Sequence, residues 1–115
     1  MALGMTLNGA NGQTFDEIQS TLELHDLSLP EINEGYSSLK ELLTDLDPKV
    51  QMEIGNSIWS RQGFQIEEDF SSNLTNYFDA ESSELDFNDP ESVNVINNWV
   101  QKKTHGKINE IIESI

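Results

Sequence analysis

The feature that most constrains this chain is a change of hydrophobic period at Asp47-Pro48. Before it, Ile32, Tyr36, Leu39, Leu42, Leu43 and Leu46 recur at the three-to-four-residue spacing that lines one face of a helix. After it, Val50, Met52, Ile54 and Ile58 alternate with Gln51, Glu53, Gly55 and Ser57, the two-residue repeat of a strand with one buried face. Proline disfavours a helical residue before it, so the helix is expected to stop at Asp47. Helices and strands must therefore share one core, and the chain reads as α+β.

The flanking segments extend that reading. Asn8-Gly9 and Asn11-Gly12 mark a turn, and Thr14 with Glu17 forms a capping-box pattern that opens a helix with Phe15, Ile18 and Leu22 on one face. Ile66, Phe70, Leu74, Tyr77 and Phe78 predict another amphipathic helix, followed by a short strand over Ser83 to Phe87. Asp89 and Pro90 supply an N-cap and a proline at the first helical position. Beyond them Val93, Ile96, Trp99 and Val100 form the buried stripe of a last helix that Gly106 closes. Met1, Leu3, Met5 and Leu7 read as the tail of a buried element that starts before the chain does. Asn56 falls on the apolar side of the expected strand, so it is either a satisfied network residue or lies where the strand leaves the core.

A length of 115 residues is that of one domain, with no composition shift, repeat or linker to divide it. Twenty-one acidic against six basic residues give a formal net charge of -15, a field that repels nucleic acid and anionic lipid, so neither is an expected partner. The absence of cysteine excludes disulfides, thiol nucleophiles and thiolate metal sites. No basic leader with an apolar run and no membrane-length apolar stretch is present, so neither a signal peptide nor a span is expected. Lys102, Lys103 and Lys107, half of the basic residues, gather at the end of the last helix, where cations complement exposed carbonyls.

No residue pattern supports catalysis. His25 and His105 lie far apart without carboxylates at metal-site spacing, and read as surface histidines. The serines form no G-x-S-x-G elbow, and the glycines form neither a P-loop nor a dinucleotide fingerprint. Glu67, Glu68 and Asp69 lack the alternating-oxygen spacing of a calcium loop and suit a helix start. Asn73-Leu74-Thr75 matches the N-glycosylation pattern, but Leu74 is wanted in the core. No catalytic residue, cofactor site or metal site is expected.

Four local motifs, in order, resemble the serpin family. Gly9-Ala10-Asn11-Gly12-Gln13-Thr14 looks like the turn between the family's second and third helices, and Asn56-Ser57-Ile58-Trp59 resembles a strand segment of its central sheet. Phe78-Asp79-Ala80-Glu81 with Leu85-Asp86-Phe87 is similar to its helix-to-strand passage. Ile96-Asn97, Trp99-Val100, Thr104 and Gly106-Lys107-Ile108 match the spacing of the I-N-x-W-V-x-x-x-T-x-G-K-I signature. The resemblance covers essentially the whole chain. It implies a partial serpin domain over residues 1–115: the end of helix B, then helices C, D, E and F as four main helices, with two strands of the large sheet A.

What the family implies for function follows from that placement. A serpin traps a serine protease when its cleaved reactive loop inserts as a new strand in sheet A. Nothing in the chain resembles that loop, its hinge or the C-terminal strands, so the fragment alone is expected to be non-inhibitory. In the intact fold, the last helix lies across sheet A and must yield during insertion, with Ile96, Trp99 and Val100 as its expected anchors. Helix D carries Glu34, Glu41 and Asp45 with only Lys40, so activation by heparin, which needs a basic helix D, is not implied. The family suggests an extracellular or cell-surface setting. Unpaired strand edges suggest self-association of the isolated fragment. Two other readings stay open: a non-inhibitory serpin, such as a chaperone or carrier, and an acidic protein-interaction module that folds alone.

Overall fold

The computed structural model describes residues 1–115. Its elements are α1 (Ala2–Leu7), α2 (Gly12–Thr21), α3 (Leu29–Thr44), β1 (Ser57–Arg61), α4 (Glu68–Phe78), β2 (Glu81–Leu85) and α5 (Glu91–Lys103). The α+β expectation of four main helices and two strands holds, with the first residues forming a short fifth helix. β1 and β2 pair directly and in parallel, Ser57 opposite Glu81 and Arg61 opposite Leu85. A parallel pair needs a long crossover, and α4 supplies it.

The core lies where α1, α3 and α4 meet β1. Met5, Leu74, Phe78 and Ala80 are its buried centre, and Met1, Tyr36, Ile58, Phe70 and Tyr77 pack around them. Tyr36 of α3 meets Phe78 of α4 in a tilted aromatic pair with centroids 5.2 Å apart. The alternating Met1-to-Leu7 run is therefore one helical turn and a half: Met5 and Leu7 are buried while Leu3 faces out. Asn33, also buried, exchanges two hydrogen bonds with Asn8, of 2.9 and 2.8 Å, which satisfy both amides and tie α3 to the end of α1.

Several element boundaries depart from the sequence expectation, each for a local reason. Thr14 and Glu17 form no capping box: the N-cap of α2 is three residues earlier, at Asn11, whose side chain accepts from Gly12 N, and Gly12 takes φ +56°. The reciprocal capping box sits instead at Ser28 and Glu31, with Pro30 in the first turn, and opens α3 three residues before Ile32. α3 ends at Thr44, so Leu46 is outside the helix and Asp47 to Val50 form a turn closed by Val50 N donating to Asp47 O.

The strand expected from Val50 forms only from Ser57, because the ladder starts where β2 can reach it, with Glu81 N donating to Asn56 O at 3.0 Å. Val50 to Ile54 join no strand ladder. β2 comes two residues earlier than Ser83 to Phe87. α4 ends on Asp79 at φ 47°, with Ala80 N donating back to Leu74 O, which turns the chain straight into the strand. Asp86 to Asp89 then form a turn that withdraws Phe87 from the sheet. Asn56 is a satisfied residue just ahead of β1: its Nδ2 donates to Phe78 O at 2.9 Å.

Candidate functional site: the end of helix α5 over the sheet

Helix α5 starts with Pro90 at the cap position and Asp89 beside it, whose Oδ1 accepts from Glu91 N at 3.0 Å. The expected cap thus operates, one residue out of register. Ser92, Ile96 and Val100, spaced by four, are its buried positions. Trp99 is not fully buried as expected but partly buried, because it lies at the flank of that face and reaches down to the sheet with a polar tip.

Three residues of the helix-end signature, Asn97, Thr104 and Gly106, have a visible task. Asn97 holds the segment that follows the helix, accepting from Ile111 N and Ile112 N at 3.0 and 3.3 Å and donating to Ile112 O at 2.9 Å. Thr104 Oγ1 donates to Val100 O at 2.9 Å and accepts from Ile108 N at 3.0 Å. Gly106, at φ +75°, donates its N–H to Gln101 O at 2.8 Å and closes the helix with a left-handed turn that suits glycine.

At this end three chain segments converge. Trp99 Nε1 donates to Glu81 Oε2 at 2.9 Å, and Lys103 Nζ forms an ion pair with the other oxygen of the same carboxylate. Lys103 lies over the Trp99 ring, 5.8 Å from its centroid. The Trp99 ring meets Trp59 of β1 edge-on, 6.0 Å apart, and Trp59 Nε1 is satisfied by Ser57 Oγ at 2.9 Å. One residue past the helix cap, His105 Nε2 lies 2.7 Å from Glu53 Oε2. Gly55 runs beneath: a Cβ there would stand 3.2 Å from Trp99 Cη2 and 3.3 Å from Lys103 Cβ.

The electrostatics follow from these contacts. Hydrogen bonds from Lys103 first and Trp99 second hold the Glu81 carboxyl below its ordinary value. Hydrogen bonds from His105 and then Gln51 do the same for Glu53. Two of the basic groups gathered in this acidic chain are thus matched with specific carboxylates, beyond the favourable place Lys102 and Lys103 occupy in the last turn of α5. Glu53, Gly55, Trp59 and Glu81 escape a sequence reading because they lie 18 to 50 or so residues from their partners, with no local spacing to connect them.

The other residues singled out in the sequence do not join this site. His25 is exposed in a turn, so only one histidine has a carboxylate partner. Glu67 occupies the N-cap position of α4 without a side-chain capping hydrogen bond, and Glu68 and Asp69 lie in its first turn. Leu74, inside the glycosylation-like triplet, is fully buried. Lys40 of α3 pairs with Asp79 at the left-handed end of α4. No group of three or more histidine or carboxylate side chains converges as a metal would require. No helix is long and apolar enough to cross a membrane.

Comparisons with known proteins agree with this architecture. The family model described as serpin, serine protease inhibitor, matches residues 1–115. The corticosteroid-binding globulin of Oryctolagus cuniculus is 32% identical over 114 residues, covering 96% of the chain and 30% of that protein. An alpha-1-antitrypsin homolog of Cyprinus carpio is 30% identical over 105 residues, covering 90% of the chain and 28% of that protein. Among solved structures, the thermophilic serpin tengpin in the latent state superposes with a TM-score of 0.90 at 33% identity, over 99% of the chain and 31% of that protein. The chain spans under a third of the length of these relatives. Its five helices and two-stranded parallel sheet are thus an incomplete portion of a larger fold, and the chain belongs to the serpin (serine protease inhibitor) family.

Proposed function

We propose that residues 1–115 are part of a serpin domain that traps serine proteases by inserting its cleaved reactive loop as a strand of the large sheet. The loop and the bait residue belong to a part of the fold outside this chain. The partner is an extracellular serine protease, and no residue of this chain acts as a catalyst or ligand of a cofactor. The observation that carries the reading is the β1–β2 pair itself: β1 has a ladder partner on one side only, and α5 is tied across the pair by Trp99 and Lys103. Ile96, Trp99 and Val100 act as the anchors of this helix, so their packing sets a barrier to insertion rather than contacting the protease.

The test is to incubate the intact protein with trypsin-like, chymotrypsin-like and elastase-like proteases and look for a complex that survives denaturing electrophoresis. Such a complex with one protease is the expected result. Cleavage of the loop without a stable complex with any of them would overturn the inhibitor reading. It would favour a non-inhibitory carrier, a reading supported by the corticosteroid-binding globulin relative. A stand-alone acidic module is disfavoured by the large apolar side chains left exposed, among them Leu42, Leu46, Val50 and Phe64.

A further inference from the structure

We propose that Glu81 is the positioning residue of a latch that holds α5 to the sheet at its C-terminal end, so that the helix opens as a flap about the Asp86–Ser92 turn. The consequence for loop insertion rests on the inhibitor reading above; the latch itself is tested apart from it.

The two ends of α5 are held in different ways. At the N-terminal end the contacts are local: Ser92 Oγ donates to Asp86 O at 2.7 Å, Asn88 N donates to Asp86 Oδ1 at 3.0 Å, and Asp89 caps Glu91. These bonds lie within one turn, with Pro90 at φ -56°, so they persist when the helix swings and together form a hinge. In the middle, Ile96 and Val100 are buried, and no side-chain hydrogen bond joins this stretch to the strands. This stretch is held by apolar burial alone, which is non-directional and does not fix the helix at one point. An open groove of about 800 Å³ runs along the flank of α5 beside β2, lined by Glu81, Leu85, Val95, Trp99 and Lys103 among others, so the Glu81 contacts form part of its wall.

At the C-terminal end, the side-chain hydrogen bonds between α5 and the two strands all end on Glu81. One carboxylate takes Trp99 Nε1 and Lys103 Nζ, four residues apart and so on one face of the helix. Glu53 adds the tie to His105. The Asn97 strap does not oppose opening, since it joins α5 to the segment after it, and the two move together. Glu81 is itself fixed by the ladder, through its N–H to Asn56 O at 3.0 Å, and so presents a rigid acceptor to a helix that carries the donors.

Hydrogen exchange on the intact protein reads the latch directly. In Glu81→Ala, amides 101 to 106 are expected to exchange about two- to fivefold faster, the range of a partly exposed ion pair, while amides 95 to 98 stay within error of the parent. Glu81→Gln, which keeps an acceptor for Trp99 but releases Lys103, is expected to fall between. The ladder amides of Glu81 and Gln62 report whether the sheet persists. If Glu81→Ala disrupts them, Lys103→Met decides, because it removes the same pair from the helix side and should give the same gradient. An equal rise over 95 to 106, or no change, overturns the latch. A gradient in a protein that traps no protease leaves the latch standing and removes the inhibitor reading instead.

Discussion

Gly4 shows how little a single position can give. It is buried in α1, and a Cβ built on it would stand 2.5 Å from Tyr36 Cε2, closer than side-chain atoms tolerate. The Tyr36 ring is not free to retreat, since it packs on Phe78. Gly4→Ala gains helix propensity of about 1 kcal/mol at most but overpacks the core, which costs about 1–3 kcal/mol. The net expectation is a lower urea midpoint for the intact protein with an unchanged slope. A raised midpoint would show that Tyr36 relocates freely. Asn33 makes the complementary point: it is buried and polar inside an apolar stripe, and nothing in its neighbours announces the Asn8 amide that satisfies it 25 residues away.

At the scale of elements, the two long helices with patterned faces behave differently. α3 is opened by a reciprocal cap, in which hydrogen bonds from the Ser28 backbone first and its side chain second hold the Glu31 carboxyl below its ordinary value. Ser28→Ala is expected to cost about 1 kcal/mol, read as a fall in thermal midpoint of a few degrees. α5 depends on its tertiary ties. Glu53 and Glu81 both have carboxyls held below the ordinary value of 4.5, so the stabilisation they bring is fully present above that value and is lost as the pH falls through the lowered ones. Acidification from pH 7 should therefore free the C-terminal half of α5, seen as a change in Trp59 and Trp99 fluorescence centred below about pH 4.5. A change centred well above pH 4.5 would contradict this assignment to the two carboxylates.

The whole molecule is a slab rather than a sphere. Its extents are 43 × 41 × 23 Å and its radius of gyration is 15.7 Å, against about 13 Å for a compact domain of this length. Twelve of its 115 residues are buried, while Leu42, Leu46 and Phe64 are 59%, 68% and 66% exposed. With a thin core, an open strand edge and these side chains in water, the 115-residue chain studied alone is expected to self-associate. Sedimentation at increasing micromolar concentration should show growing mass, with melting that depends on concentration. A monomer with one sharp, concentration-independent transition would contradict this and return weight to a module that folds alone.

What the sequence determined by itself was the kind and order of the elements. The helical period before Asp47, the strong pattern of α4, the aspartate-proline start of α5 and the glycine at its end are local signals, and local backbone preferences act on them directly. They were enough to place the chain beside the serpins and to find the helix-end signature. The tertiary structure decided which part of each signal is used. The alternation from Val50 to Ile54 is a strand pattern without a strand, because a ladder needs a partner and β2 reaches only as far as Asn56. Tertiary structure also turned one lysine at the end of α5, Lys103, from a general complement of a helix terminus into part of a clamp on Glu81 with Trp99, since that carboxylate arrives from another element. Sequence patterns report what a segment prefers, while pairing between distant segments is fixed only when the whole chain brings them within hydrogen-bonding distance.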